Sequence, residues 1–252
     1  AVQNKLKKTG ISADYTIVDK KHGTNMSIII DYAGDRTILS YHADRSYHLP
    51  KFAPTKWIYF SSISCDHEKF NNKLNEYVKS NGIKLAFNPG SRQLAVGTKV
   101  LKPILEVTEI LFVNKQEGWQ LLKKKSRSIT RDPDFTSGGN VKNILKCLRD
   151  LGPKIVVITD GGNGSYCYNG ENFYKLGIIK SPVVEKTGSG DAYASGFTVA
   201  IINGCTVEEA MRWGGANATS VVGKVGSQAG LMNNHQIQEL LKEHKYFHPV
   251  LF

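Results

Sequence analysis

The sequence of 252 residues predicts an α/β protein of three layers, with helices on both faces of a mostly parallel sheet and a small β-meander lid. Three observations carry this reading. Apolar, β-branched runs alternate with amphipathic helical segments over most of the chain. Asn88, Asn114, Thr159 and Thr187 fall at the ends of the expected strands, the edge at which such sheets bind ligands. In Glu185-Lys186-Thr187-Gly188-Ser189-Gly190-Asp191, two glycines flank a serine where a small-residue helix begins.

In order, Val2–Lys8 reads as the tail of a helix begun upstream, so the chain is expected to be a fragment of a longer polypeptide. Tyr15–Val18, Ser27–Tyr32 and Thr37–His42 are expected strands of the lid, an insertion around 15–49 in a single domain spanning 1–252. Trp57–Ser61 is a short strand. Asp66 can cap a helix to about Ser80, with Phe70, Leu74, Tyr77 and Val78 on one face. Strand Lys84–Asn88, a helix over Val96–Leu105, strand Glu109–Asn114 and a helix over Gln116–Lys125 follow. A helix near Asn140–Leu151 precedes strand Lys154–Thr159, and Ser165–Tyr168 pairs with Asn172–Lys175 around Asn169-Gly170. The run Ile178–Val184 leads into Glu185–Asp191. Gly204 closes the helix that comes after. Thr206 and Glu209 form a capping box for a helix to about Val222, and Gln236–Lys242 lies in a last amphipathic helix.

The net charge of +11 suits an anionic ligand such as a nucleotide. Basic residues are scattered, and the densest run, Lys123–Arg127, reads as a solvated helix end, which argues against nucleic acid as partner. The four cysteines are widely spread with no C-x-x-C pair, as expected of reduced thiols in a cytoplasmic protein. No apolar run approaches the length of a membrane span.

Glu185–Asp191 admits two readings. A helix start offers backbone N–H groups without intrahelical partners, and peptide dipoles add partial positive charge, so it can bind an anion. A carboxylate in its first turn, Asp191, completes the pair a phosphoryl transfer to a hydroxyl requires. The plainer reading is a turn whose aspartate favours the helix start. Walker A and dinucleotide fingerprints are absent: no G-x-x-x-x-G-K-[ST] occurs, and Tyr193 stands where a third glycine would be.

Thr187-Gly188-Ser189-Gly190-Asp191, with Gly196 after it, resembles the second signature of the ribokinase-like (PfkB) carbohydrate kinases. The agreement runs from about residue 10 to 232. Asn88-Pro89-Gly90 is similar to the family's post-strand turn and Asn114-Lys115-Gln116-Glu117 to its N-x-x-E motif. Thr159–Gly164 is similar to its nucleotide loop, and Gly214–Gly226 to the helix and loop that close over the base. The resemblance implies ATP-dependent phosphorylation of a hydroxymethyl group on a small sugar or nucleoside. Asp191 is then the base, and the N–H groups of Gly188, Ser189 and Gly190 are the anion hole. Asn114 and Glu117 position Mg²⁺ and the phosphates, Thr159, Gly161 and Gly164 contact the nucleotide, and Asn217 lies near the adenine. A K⁺ site found in many members would involve Glu185, Thr187, Val221, Lys224, Gly226 and Gly230. Glu185 replaces the usual aspartate and Lys186 the usual threonine. The resemblance also implies a homodimer through the lid. The family's acceptor-sugar aspartate and Gly-Gly signature do not occur in the residues given. Thr24, Asn25 and the His42–Arg45 turn are left as candidate acceptor contacts, and a non-catalytic or impaired nucleotide-binding module is the alternative function.

Overall fold

A computed structural model of the protein describes residues 2–32, 35–43, 45–64, 67–122 and 138–252. The elements in chain order are α1 (Val2–Lys8), β1 (Met26–Tyr32), β2 (Asp35–Tyr41), β3 (Trp57–Phe60), α2 (His67–Asn81) and β4 (Lys84–Phe87). Next come α3 (Ser91–Val96), α4 (Thr98–Leu105), β5 (Thr108–Asn114), α5 (Lys115–Leu122), α6 (Gly138–Arg149) and β6 (Ile155–Thr159). The chain ends with β7 (Ser165–Tyr168), β8 (Phe173–Leu176), α7 (Ser189–Ile202), α8 (Val207–Val222), α9 (Asn234–Glu243) and β9 (Val250–Leu251).

Strands β3 to β9 form one seven-stranded sheet in sequence order. β3, β4, β5 and β6 pair in parallel, whereas β7, β8 and β9 add antiparallel. The central strands are apolar at successive positions because both of their faces are covered. Leu85, Phe87, Leu111, Val113, Val156 and Ile158 face a core shared with α2, α4, α5 and α6. Ala86, Ile110, Phe112 and Val157 face the opposite core, filled by Tyr193 and Phe197 of α7, Met211 and Trp213 of α8, and Ile237 and Leu241 of α9. The expected three layers and their mostly parallel strands are therefore present.

Three expectations need correction, and two elements, α3 and β9, are added. The lid is a two-stranded hairpin, β1 with β2, and Tyr15–Val18 is turn and coil. The helix expected over Val96–Leu105 is present as α4 from Thr98, and a further helix, α3, precedes it, parted from it at Gly97, whose φ of 86° no helix accommodates. The run Ile178–Val184 is coil, so Thr187 follows no strand. At Thr206 only half of the capping box forms: its hydroxyl accepts the Glu209 N–H, while the Glu209 carboxylate turns to Arg212 and Trp213. The short strand β9, paired with β8, is added to the sheet. The Asp66 cap, the Ala33-Gly34 turn, residue Asp44 and the basic run Lys123–Arg127 lie outside the described residues. Among the described residues no helix is long and apolar enough to cross a membrane.

Helices α7 and α8 approach closely because glycines face each other across the contact. A Cβ on Gly196 would lie 3.0 Å from the Trp213 carbonyl oxygen, and one on Gly214 would lie 2.9 Å from that of Tyr193. Phe197, fully buried on this side, meets Phe112 edge-on at 5.5 Å between ring centroids. Phe197→Ala is expected to cost about 3–5 kcal/mol in urea unfolding, against less than about 0.5 kcal/mol for Val199→Ala, which lies on the exposed side of the same helix.

Candidate active site

The carboxyl ends of the parallel strands open onto a cleft of about 740 Å³. Asn114 at the end of β5 and Thr159 at the end of β6 are register partners, and Thr159 is in turn the partner of Ser165 on β7. Three site residues therefore stand in a row across the sheet, one strand spacing apart, about 4.8 Å. Asn88, just beyond β4, extends the lining; its N–H donates to the Phe60 carbonyl at 2.9 Å. Its side-chain amide donates to the Tyr59 hydroxyl at 3.3 Å.

The N-x-x-E motif has a local reason to exist. The Asn114 N–H donates to Glu117 Oε2 at 2.7 Å, and the Glu117 N–H donates to Asn114 Oδ1 at 2.9 Å. This reciprocal capping box starts α5 and fixes both side chains at the cleft. It leaves Glu117 Oε1 and the Asn114 amide nitrogen available to a ligand. The loop after β6 is a single 3₁₀ turn, Gly161–Asn163, closed by the Asp160 N–H donating to the Gly164 carbonyl at 2.8 Å. Gly164 is required there: φ is 89°, and a Cβ would lie 2.0 Å from the Leu176 carbonyl oxygen. Lys115, half-buried, pairs with Asp160 at 3.3 Å and holds this loop to α5.

Gly188 is the N-cap of α7, with φ of 84°, and a Cβ on it would lie 2.6 Å from Ser227 Cβ. No side chain caps this helix. The Ser189 N–H and hydroxyl both donate to the Lys186 carbonyl, at 3.3 and 2.9 Å, so the serine N–H expected in the anion hole is already engaged. The N–H groups of Gly190 and Asp191 find no acceptor among the described residues. The Asp191 carboxylate stands in the same first turn and lines the cleft.

The two carboxylates share one electrostatic setting. Partial desolvation by the cleft walls raises the Asp191 pKa, although the side chain remains open to solvent. Burial raises that of Glu117, the Asn114 N–H offsets part of the rise, and the Asp191 charge adds to it. The Tyr59 hydroxyl is pushed up to about 12 by burial, with the Asn88 bond opposing and the Asp191 charge reinforcing the shift.

Asn217 stands apart from the other predicted residues. It is buried, its amide donates to the Ala192 carbonyl at 2.8 Å, and its oxygen accepts the Met232 N–H at 3.0 Å. It ties α8 to α7 and does not line the cleft, where Gly215, Ala218, Thr219 and Phe247 lie instead. The residues expected to hold K⁺ do converge, but through bonds to one another. Glu185 Oε2 accepts the Gly226 N–H at 2.8 Å, and the Val221 carbonyl accepts the Lys224 N–H at 3.1 Å. A Cβ on Gly230 would lie 2.3 Å from the Ser220 carbonyl oxygen. With its carboxylate so engaged, this set matches a monovalent cation poorly. For Mg²⁺ the fit is adequate: this ion keeps several waters and needs few protein oxygens. Glu117 Oε1 supplies one, and no cluster of three acidic, histidine or cysteine ligands occurs among the described residues. Lys180 and Lys186 also line the cleft. Nothing in the sequence pattern marked Lys180, and Lys186 entered only as a departure from a motif.

The model of the pfkB family carbohydrate kinases matches residues 1–234. The chain is 38% identical over 162 residues to a 5-dehydro-2-deoxygluconokinase of Shouchella clausii, covering 64% of this chain and 46% of that protein. It is 29% identical over 162 residues to a nucleoside kinase of Methanothermobacter thermautotrophicus, covering 64% and 47%. The chain thus spans about half the length of these curated relatives. Its fold matches that of the Methanocaldococcus jannaschii nucleoside kinase, an archaeal member of the ribokinase family, with a TM-score of 0.76 and 22% identity, covering 97% of this chain and 76% of that one.

An aspartate with a raised pKa is most stabilising, relative to the unfolded chain, when protonated. That contribution is complete below the unfolded pKa and is lost as pH rises through the folded one. Asp191→Asn, neutral throughout, is therefore expected to be more resistant to urea than the parent at about pH 7. The gain should vanish near pH 3, where Asp191 is protonated in both states.

Proposed function

This chain belongs to the pfkB family of carbohydrate kinases, and from that premise we propose that it phosphorylates a hydroxyl of a small sugar or nucleoside with ATP. The observation that carries the proposal is the first turn of α7. There the Asp191 carboxylate and the open N–H groups of Gly190 and Asp191 share one cleft with Asn114, Glu117 and the Thr159–Gly164 turn.

In this reading the apolar end of the cleft, with Ile179, Ala218 and Phe247, receives the adenine. The Thr159–Gly164 turn follows the phosphates towards α7. The γ-phosphate rests against the Gly190 and Asp191 N–H groups, whose dipoles are aimed where charge develops. Asp191 takes the proton from the acceptor hydroxyl as its oxygen bonds to the γ-phosphorus, and the bond from that phosphorus to the β-γ bridging oxygen breaks, leaving ADP. Asn114 and Glu117 would hold Mg²⁺, which when bound would neutralise charge on the phosphates. The raised pKa of Asp191 brings it nearer to the working pH, which favours proton transfer.

The test is turnover against a panel of sugars and nucleosides, with the phosphorylated product identified. Asp191→Asn is expected to lower kcat by about 10²- to 10⁴-fold with ATP binding retained. The parent's rate should fall as pH drops through the raised pKa of Asp191. Equal turnover by the two proteins would remove Asp191 from the reaction. ATP binding without any phosphorylated product would favour a nucleotide-binding module.

The β1–β2 hairpin bears on assembly. Ile28 and Leu39 are cross-strand partners on one face and Ile29 and Ile38 on the other, and all four are exposed. A two-stranded hairpin with both faces apolar is marginal in water. We infer that a second copy covers it, giving a dimer through the lid. Sedimentation should show a dimer for the parent chain and a monomer for Ile28→Lys/Leu39→Lys.

A further inference from the structure

We propose that Lys186 is a phosphate-binding residue of this cleft, contacting the terminal phosphate of the nucleotide; this rests on the kinase reading above. Four features lead there. Lys186 lines the cleft together with Gly188, Ser189, Gly190 and Asp191. Its backbone is fixed, because its carbonyl accepts both the N–H and the hydroxyl of Ser189. Its side chain is exposed and makes no ion pair among the described residues, in contrast to Lys115, which is held by Asp160. The preceding residue is also anchored: the Glu185 N–H donates to the Val222 carbonyl at 3.1 Å and its carboxylate accepts the Gly226 N–H. An unpartnered ammonium therefore projects from a stapled loop at the rim of the anion hole.

Charge balance gives it a task. The ionisable side chains lining the cleft are two carboxylates, Glu117 and Asp191, and two ammonium groups, Lys180 and Lys186. Without Lys186 the cleft would carry a net negative charge against a polyphosphate ligand. Lys180 follows Ile178 and Ile179 in the cleft lining, whereas the Lys186 carbonyl is bonded to Ser189, so Lys186 is the cation tied directly to the start of α7. A lysine serves such a position as a point charge with three donors. It would also explain how this loop manages with a carboxylate, Glu185, that is engaged by a backbone N–H.

The experiment is calorimetric titration of the full chain with ATP and with AMP, in the presence of Mg²⁺, for the parent, Lys186→Met and Lys186→Arg. Loss of a hydrogen bond to a charged group predicts that Lys186→Met weakens ATP binding about tenfold or more. AMP, which lacks the outer phosphates, should bind within about twofold of the parent, and Lys186→Arg should recover most of the ATP affinity. Equal weakening of ATP and AMP, or no weakening of either, would overturn the assignment while leaving the kinase reading in place. Failure of the parent chain to bind ATP would overturn both.

Discussion

The close approach of α7 and α8 is the constraint on which the site depends. Gly196 and Gly214 remove the side chains that would hold the helices apart, and Asn217 bridges them with a buried hydrogen bond to the Ala192 carbonyl. Ala192 is one residue beyond Asp191, so the bridge fixes the turn that carries the Asp191 carboxylate. On its other side α7 is held to the sheet by Phe197 against Phe112, and by the Tyr193 hydroxyl on the Ser165 hydroxyl at 2.8 Å. Ser165 is the register partner of Thr159. The same packing that buries the second core therefore sets the distance between the helix start and the strand ends.

Within that frame the cleft keeps opposite charges separated until a ligand joins them. Burial raises the pKa of both Asp191 and Glu117, and the Asp191 charge adds to the rise at Glu117. A helix start with open N–H groups and two lysines faces them. Neither carboxylate has an ion-pair partner among the described residues, whereas Asp160 and Glu109, outside the chemistry, are paired with Lys115 and Lys154. Leaving charges unpaired costs stability, and that cost is concentrated where phosphate, metal and hydroxyl would meet.

Much of this was legible in the sequence, for physical reasons. The apolar runs at 84–87, 108–114 and 155–159 could only be strands covered on both faces, and the polar residue ending each run had to emerge at one edge. Asn114 and Glu117 were readable through the N-x-x-E pattern, for which the capping box gives a local cause. Other features depended on tertiary context. Ile178–Val184 has the composition of a strand, but β7, β8 and β9 complete the sheet, so the run crosses the cleft wall as coil. Asn217 carries a small polar side chain whose partners, Ala192 and Met232, are 25 and 15 residues away. No local pattern separates such a buried tie from a ligand contact. Tyr15–Val18 alternates like a strand but finds no strand partner among the described residues to complete a ladder.

The N-cap of α7 differs from those of α5, α8 and α9. Helices α8 and α9 begin with Thr206 and Asn233, whose side chains accept the N–H groups of Glu209 and Gln236, and α5 uses Asn114 in the same way. Such caps stabilise a helix by about 1 kcal/mol because they satisfy donors that the helix itself cannot. α7 has Gly188 instead, and only glycine meets both demands there: a left-handed φ, and the space that Ser227 leaves. The substitution of glycine for a side-chain cap costs a few tenths of a kcal/mol. In return no side chain competes for the Gly190 and Asp191 N–H groups. In the proposed kinase reading a ligand phosphate would stand where that cap is missing.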